Sequence, residues 1–160
     1  MVTEMRTRIR GFTVIEAMVV VAILAILAAF AAPAMNQLIR TQKVRSIAYD
    51  LFADLTYARS QAIARGHNVG IGSKAGTNWG VSGWMVRDLS NGDTLRDTGA
   101  GPKGVKFTAD APGLVFLPTG RTAANVSFTI APEESAPDDQ KRCVRISPSG
   151  RPNSTTGACP

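Results

Sequence analysis

Residues able to do chemistry are few in this chain of 160 residues, and they are scattered along it. His67 is the single histidine, and no serine, threonine or cysteine lies in a nucleophile motif. Gly70 and Gly72 follow a predicted helix and lack the third glycine that a phosphate-binding loop needs. The carboxylates other than Glu16 cluster in predicted turns and loops, where solvation explains them. The sequence therefore predicts no enzyme and no cofactor or metal site.

The two cysteines, Cys143 and Cys159, could form a disulfide, remain free thiols or supply half of a metal site. Two sulfurs and one distant histidine do not match the spacing of zinc ligands. A chain exported across a membrane would also meet an oxidising compartment. A disulfide is the favoured prediction, and closing its loop of 15 residues would stabilise the fold by ~3 kcal/mol.

Positive charge is concentrated towards the two ends of the chain. The formal net charge is +6, of which Arg6, Arg8 and Arg10 against Glu4 contribute +2, leaving +4 for the rest. The last twenty residues contain four cations and no acid. Such a segment can bind an anionic partner such as DNA, although a solvated strand edge whose charges discourage aggregation is the simpler explanation. The four cations are Lys141, Arg142, Arg145 and Arg151.

Glu16 stands apart from the other carboxylates because an apolar run follows it directly. Residues 17–39 contain no charged residue, which is more than the ~20 apolar residues that a helix needs to cross a bilayer. The basic residues before this run keep the first residues cytoplasmic and place the C-terminal part on the far side. Because an ionisable group inside a bilayer is costly and persists where it has a partner, Glu16 calls for an explanation.

Three interpretations compete for this N-terminal segment. A secretory signal would be cleaved near residues 29–31, but Glu16 would weaken its apolar centre. A plain membrane anchor explains the length of the apolar run but not the residues around Glu16. In the third interpretation, residues 10–16, with the sequence RGFTVIE, resemble the prepilin peptidase site of type IV pilins and of type II secretion pseudopilins.

The resemblance implies specific roles for the residues of this segment. Cleavage is expected after Gly11, and methylation on the new N-terminal Phe12. Glu16 is expected to pair with the free amine of a neighbouring subunit as helices stagger into a filament. Pro33 matches a proline common in pilins, and because it lacks an N–H and its ring clashes with the preceding turn, it predicts a kink.

Beyond the apolar run the sequence takes the 3.6-residue period of an amphipathic helix. Gly66, followed by His67 and Asn68, predicts the helix end. One long helix is therefore expected over residues 12–65, about 80 Å if unbroken. The apolar positions of its second half are Leu38, Ile39, Val44, Ile47, Ala48, Leu51, Phe52, Leu55, Ala58 and Ala62.

After Gly66, short β-branched and aromatic runs alternate with turn residues, which is typical of antiparallel strands. Turns are expected at Asn91-Gly92-Asp93 and at residues 117–120. Residues 131–140, with two prolines and four acids, predict an exposed loop. The predicted strands are residues 69–72, 80–87, 94–96, 105–108, 114–117, 126–130 and 142–147.

These elements predict an α+β fold in which the long helix packs its second half on an antiparallel sheet. The order of elements, with Gly-Arg turns at Gly120-Arg121 and Gly150-Arg151, resembles the GspH/FimT branch of minor pilins. The expected parts are a prepilin leader (residues 1–11), a transmembrane and assembly half of the helix (12–34), an amphipathic half (35–66) and a β-rich domain (67–160).

The resemblance implies a minor type IV pilin that initiates or caps a pilus. Its expected partners are other pilins, prepilin peptidase and the inner membrane, with a cytoplasmic N-terminus and a periplasmic domain. A GspH-like minor pseudopilin of type II secretion is the alternative within the same mechanism. A second alternative is a FimT-like DNA receptor, but the Gly-Arg-x-Arg motif of that group lacks its second arginine here, where Asn153 follows Pro152.

Overall fold

The computed structural model describes residues 12–76, 79–101 and 103–160, without the side chains of residues 31–34 and 81. The chain divides into two compact units, the first ending at Gln37 and the second running from Leu38 to Pro160. The first helix contributes to both units, and every strand of the described residues lies in the second. The boundaries expected after residues 11, 34 and 66 rest on sequence features and remain predictions.

Helix α1 spans Val14–Arg65, so it begins two residues after the predicted start at Phe12. Its C-terminus has a local cause. Gly66 adopts a φ of 68°, and its N–H donates to the Ala62 carbonyl at 3.1 Å. Glycine takes this left-handed conformation without a steric penalty, which confirms the helix end predicted at Gly66.

Within the described residues, no single helix is long and apolar enough to cross a membrane. The stretches Val14–Phe30 and Met35–Arg65 meet that requirement together, by length and composition alone. The side chains between the two stretches, including that of Pro33, lie outside the described part of the structure. The kink expected from Pro33 therefore stays a prediction.

Short strands, one short helix and one 3₁₀ turn follow α1. The strands β1 to β8 form two four-stranded sheets, sheet A in the order β3-β2-β1-β5 and sheet B in the order β4-β6-β7-β8. All of their pairings are antiparallel, as predicted. The elements are β1 Val69–Ser73, α2 Trp79–Ser82, β2 Trp84–Asp88, β3 Thr94–Asp97, β4 Val105–Ala109, β5 Gly113–Phe116, β6 Val126–Pro132, the 3₁₀ turn Asp138–Gln140, β7 Arg142–Ile146 and β8 Pro152–Thr156.

Both predicted turns are present. Asn91-Gly92-Asp93 joins β2 to β3, and Gly92 takes a φ of 80° there. After β5, the Gly120 N–H donates to the Leu117 carbonyl at 2.8 Å. The position of each turn fixes which strands can pair, and so confirms the local part of the predicted topology.

The predicted strand 80–87 is wrong in its first half, where α2 occupies Trp79–Ser82 and β2 begins only at Trp84. Gly83 between them adopts a φ of 74°. A Cβ at this position would lie 2.3 Å from the carbonyl oxygen of Thr98. Because only glycine fits such a turn, the chain reverses here, and the short helix places the Trp79 ring in the core with no exposed surface.

Near the C-terminus one strand was not predicted and one predicted loop is corrected. Residues 152–156 show no apolar alternation, yet β8 pairs with β7 over five residues. Within the predicted loop 131–140, the first two residues belong to β6, and Asp138–Gln140 form one 3₁₀ turn. Backbone pairing and the C-terminal tail, rather than side-chain pattern, hold β8 in place, since the Gly157 N–H donates to the Lys141 carbonyl at 3.1 Å.

The core lies between the second half of α1 and the inner faces of the two sheets. Aromatic rings fill its centre, with the Trp79 and Phe128 centroids 4.9 Å apart in an edge-on arrangement. Of the apolar helix positions predicted to face the sheet, Leu38 and Ile39 are exposed and Phe52 is half-buried. The remaining positions are buried as predicted: Val44, Ile47, Ala48, Leu51, Leu55, Ala58 and Ala62.

A buried carboxylate joins α1 to the edge of sheet A. Asp54 is 4% exposed, and its Oδ2 accepts hydrogen bonds from Trp84 Nε1 and Thr98 Oγ1, each at 2.8 Å. Its Oδ1 pairs with the Arg96 guanidinium, and this hydrogen bond raises the pKa of Arg96 above its ordinary value. The same guanidinium lies 4.3 Å from the centre of the Tyr57 ring, so one acid fixes groups from β2, β3 and the following loop.

A second aspartate fastens the end of α1 to β2. Asp88 Oδ2 lies 3.4 Å from Arg65 Nη1, and Asp88 Oδ1 accepts hydrogen bonds from the hydroxyl and the N–H of Ser90 at 2.6 and 2.9 Å. The hydrogen bonds from Ser90 lower the pKa of Asp88. Asp54 and Asp88 together align β2 beside the last three turns of the helix.

Candidate functional site

The start of α1 is built as a helix N-terminus that carries an acid. The Glu16 N–H donates to the Thr13 hydroxyl at 3.3 Å, and the Ala17 N–H donates to the Thr13 carbonyl at 3.2 Å. Thr13 is therefore the N-cap, and Glu16 lies in the first turn, where the helix dipole favours a negative charge. Sequence reasoning missed the role of Thr13, although the spacing Thr-x-x-Glu is the signature of a capping box.

Glu16 and Phe12 are both exposed, Phe12 at 82%. The four-residue separation between them places the Phe12 backbone beside the first turn of the helix. Gly11, the residue expected to precede the cleaved bond, lies outside the described residues. The cleavage and methylation expected here therefore remain predictions, as does the role in assembly expected for Glu16.

The first unit exposes apolar side chains around the whole circumference of α1. A helix that is apolar on all sides belongs in a bilayer or among other helices, because water would otherwise contact every face. Among the described residues of the first unit, 12–37, Glu16 is the only acid. The exposed large apolar residues are Phe12, Val14, Ile15, Met18, Val19, Val20, Val21, Ile23, Leu24, Ile26, Leu27, Phe30 and Met35.

The two cysteines are joined by a disulfide, as predicted. Cys143 on β7 and Cys159 in the C-terminal tail have their Cα atoms 5.0 Å apart. The Cys159 N–H also donates to the Thr129 hydroxyl of β6 at 3.1 Å. The tail is thus fixed across the outer face of sheet B.

The four cations of the C-terminal segment do not form one patch. Lys141 pairs with Asp138 at 2.9 Å, and Arg142 donates to the Thr156 hydroxyl at 2.8 Å, so internal contacts occupy both. Arg145 is exposed in the middle of β7, and Arg151 is exposed after β7. Neither has a carboxylate within ion-pair distance in the described part of the chain.

The two Gly-Arg turns lie against each other, which the sequence did not predict. A Cβ on Gly150 would lie 1.8 Å from the Gly120 carbonyl oxygen, and that oxygen accepts a hydrogen bond from Arg59 Nε at 3.0 Å. Arg121 and Arg151 each follow one of these glycines, and both are exposed. Two exposed arginines thus extend from adjacent turns beside a third, half-buried arginine.

Metal ligation finds no support among residues 12–76, 79–101 and 103–160, where no three histidine, cysteine, aspartate or glutamate side chains converge. His67 lies in the exposed turn after α1. Gly70 and Gly72 lie on strand β1 rather than in a phosphate-binding loop at a helix start. The polar contacts of the described residues hold strands in place, cap a helix and pair charges. The exposed surfaces are suited to contacts with other molecules.

Two family models match the chain. Residues 48–150 match the family described as type II transport protein GspH. Residues 6–32 match the prokaryotic N-terminal methylation motif, a range that contains the expected cleavage site and Glu16. A search of the curated proteins found no match.

Solved structures of two bacterial proteins share the fold. The type IV minor pilin FimU of Pseudomonas aeruginosa is 23% identical, with 74% of this chain and 90% of that chain covered and a TM-score of 0.62. The minor pseudopilin EpsH from the type 2 secretion system of Vibrio cholerae is 15% identical, with 71% of this chain and 97% of that chain covered and a TM-score of 0.58.

These comparisons confirm the predicted α+β architecture of a long N-terminal helix and antiparallel sheets. The GspH model covers more than half of the chain, from the amphipathic half of α1 to the second Gly-Arg turn. The methylation motif covers the segment that carries Glu16. The chain therefore belongs to the GspH family of pilin-like proteins, the minor pilins and pseudopilins.

Proposed function

We propose that the chain is a minor type IV pilin, cleaved after Gly11, methylated on Phe12 and assembled through its N-terminal helix to initiate or cap a pilus. The observation that carries the proposal is one acid, Glu16, at the start of a helix whose first part, up to Phe30, is apolar on every side. A partner with a positive group makes such an acid compatible with burial among apolar helices, because pairing offsets the cost of removing the charge from water. The new amine of Phe12 on a neighbouring subunit supplies that group.

We assign a different role to each of the two compact units. The apolar part of α1 anchors the subunit in the inner membrane, with a cytoplasmic N-terminus, until prepilin peptidase removes the leader. The unit Leu38–Pro160 has its own core and its own disulfide, which suits a periplasmic domain exposed to oxidising conditions. Other pilins are the proposed partners of the helix.

A GspH-like minor pseudopilin of type II secretion is the alternative, and the description of the matching family as a type II transport protein favours it. A deletion strain of the source organism separates the two. The minor-pilin proposal expects loss of surface filaments from the sheared fraction and unchanged export of secreted enzymes. Normal filaments with exoproteins retained in the periplasm would replace it by the pseudopilin alternative.

A FimT-like DNA receptor is the second candidate, and the adjacent Gly-Arg turns favour it. The exposed guanidinium groups of Arg121 and Arg151 follow glycines that lie in contact, and Arg145 is exposed on β7. Arginines without internal carboxylate partners are available to phosphates. Binding of this kind would be independent of DNA sequence and strongly dependent on salt.

The DNA hypothesis predicts that the full chain in detergent retards duplex DNA at about 50 mM salt. Replacing Arg145 and Arg151 by alanine is expected to weaken the binding about tenfold or more, since two phosphate contacts are lost. A matched variant, Lys141→Ala with Arg142→Ala, should change affinity little because both side chains are engaged internally. No retardation by the unmodified chain, or equal losses in the two variants, would remove the hypothesis.

A further inference from the structure

Three cations, Arg40, Lys43 and Arg45, begin the charged part of α1 directly after the charge-free residues 17–39. The next acid along the chain is Asp50, so no carboxylate in this stretch offsets them. Cations on the cytoplasmic side of a membrane segment orient it, and cations close to its far end act against that orientation. The leader already has three arginines of its own. The three cations after the apolar run therefore need an explanation other than orientation.

The folded unit adds a fourth cation at the same end. A cleft of about 270 Å³ is formed where this part of α1 meets the loop before β4 and the end of β6. Lys43 Nζ donates to the Lys103 carbonyl at 3.5 Å, and Lys103 is exposed. Two lysines thus lie side by side at the cleft. Its lining consists of Arg40, Lys43, Lys103, Gly104, Glu133 and Glu134.

An internal carboxylate satisfies only one of the four cations. Arg40 pairs with Glu134, whereas Lys43, Arg45 and Lys103 have no carboxylate within ion-pair distance among the described residues. Arg45 is half-buried, and its Nε is buried without a hydrogen-bond partner in the same part of the chain. An unpaired buried donor is costly, and neighbouring cations repel each other. An anion bound at this end of the unit lowers both costs.

Lys43 and Arg45 extend to opposite sides of α1. A helix turns by about 100° per residue, so the two side chains leave it about 160° apart. Val44 between them is fully buried in the core. A partner that covers one side of the helix would contact only one of the two cations. A surface that lies across the helix axis, such as that of a membrane, contacts both.

The depth of these cations matches that of lipid headgroups. The cations of α1 follow Ile39, the last charge-free residue, by one to six residues, which is about 1.5–9 Å along the helix axis. The headgroup region of one leaflet is about 5–8 Å thick. Because the Cα–Cβ bonds of a helix tilt towards its N-terminus, these side chains lean back towards the apolar run. With that run in the hydrocarbon core, the cations lie among the phosphate groups.

We propose that Lys43, Arg45 and Lys103 bind the phosphate groups of anionic phospholipids at the far surface of the membrane. The inference rests on the membrane anchorage in the proposed function, and it adds the class of lipid that the subunit binds. Zwitterionic lipids satisfy the cations less well, because their own ammonium group offsets the phosphate. The attraction is several-fold in affinity for each cation and weakens as salt screens the charges.

Energy transfer in vesicles tests the lipid preference with the full chain. The chain is reconstituted in phosphatidylcholine, with a donor dye attached at Ser46→Cys, an exposed position next to Arg45, while the native cysteines stay paired with each other. The acceptor is phosphatidylglycerol or phosphatidylcholine, each labelled on its acyl chain and present at the same low density. Phosphatidylglycerol is expected to be enriched around the donor about threefold to tenfold at about 50 mM salt, and this preference is expected to be lost at about 1 M salt. Equal transfer to the two lipids at the lower salt would overturn the proposal.

Single substitutions locate the preference on the chain. Lys43→Gln and Arg45→Gln are each expected to lower the enrichment about twofold to fivefold. Arg87→Gln is the matched control, since it removes one exposed charge beside Asp88, whose partner Arg65 lies about 30 Å further along the helix axis than Arg45. It should leave the enrichment unchanged. An equal loss in Arg87→Gln, or a loss from only one of Lys43→Gln and Arg45→Gln, would overturn the contact with a surface across the helix.

Two additions distinguish lipid from soluble anions. Inorganic phosphate at constant ionic strength, or duplex DNA, should leave the transfer to phosphatidylglycerol unchanged, and displacement of the lipid by either would overturn the proposal. Absent lipid preference, with processed chain still present in filaments, would contradict this inference and leave the proposed function intact. Retained lipid preference in a chain that never enters filaments would support the inference and contradict the proposed function.

Discussion

Replacing Glu16 by alanine is expected to lower incorporation of the chain into filaments at least about tenfold while leader cleavage continues. The expectation follows from the cost of leaving one charge of a buried pair without its partner, roughly 3–5 kcal/mol when the other charge stays in place. Here the unpaired group would be the Phe12 amine of a neighbouring subunit. The measurement is the amount of processed chain in the sheared filament fraction relative to the membrane fraction.

The structure provides a control that separates the two roles of Glu16. The Glu16 N–H donates to the Thr13 hydroxyl, and at this position of a capping-box sequence glutamine serves nearly as well as glutamate. Glu16→Gln therefore preserves the helix start and removes the charge. If pairing with the amine matters, Glu16→Gln should fail as Glu16→Ala does. Incorporation of Glu16→Gln at the level of the unmodified chain would assign the acid to capping alone.

Replacing Asp54 by alanine is expected to lower the free energy of unfolding by about 2–4 kcal/mol. The Asp54 carboxylate accepts from Trp84 and Thr98 and pairs with Arg96. Its removal leaves the buried Trp84 N–H without an acceptor and releases β3 from the helix. Urea unfolding of the full chain in detergent, followed by tryptophan fluorescence, measures the change, because Trp84 itself lies in the network.

Asp50 is the matched control for Asp54, since it lies one turn earlier on the same helix and is exposed. Asp50→Ala should change the free energy of unfolding by no more than about 0.5 kcal/mol. Equal effects of Asp50→Ala and Asp54→Ala would mean that the carboxylate network does not hold β3. Asp54→Asn should be intermediate, because the amide oxygen can still accept one hydrogen bond but carries no charge for Arg96.

The helix was predictable from sequence because its signals are local. Its apolar run, its 3.6-residue period and the glycine at position 66 each act within a few residues, and the structure confirms the end at Gly66. Thr13 was missed as the cap although its spacing to Glu16 signals one. Leu38 and Ile39 satisfy the apolar period but remain exposed, since periodicity does not reveal where a packing partner ends.

The β-rich part was predictable as a set of strands but not as two sheets. The two-residue alternation of apolar and polar side chains predicts each strand separately. The assignment of a strand to sheet A or sheet B depends on long-range pairing, such as that of β1 with β5. β8 has no apolar alternation, and α2 depends on the turn at Gly83. Tertiary context decided these elements, as it commonly overrides local propensity.

Charge in the sequence located the basic segment but not its geometry. Lys141 and Arg142 are occupied by Asp138 and Thr156, contacts that no spacing rule anticipates. The meeting of the Gly120 and Gly150 turns is likewise a product of folding, because thirty positions separate them.

The decisive measurement for a pilin-type subunit is the mass of the mature N-terminal peptide from chain isolated out of the source organism. Our account predicts a peptide that begins at Phe12, carries one added methyl group on its amine and retains Glu16. A peptide that begins at Met1, or a chain that has lost the whole apolar segment, would contradict the account, since neither offers the Phe12 amine that Glu16 is proposed to bind.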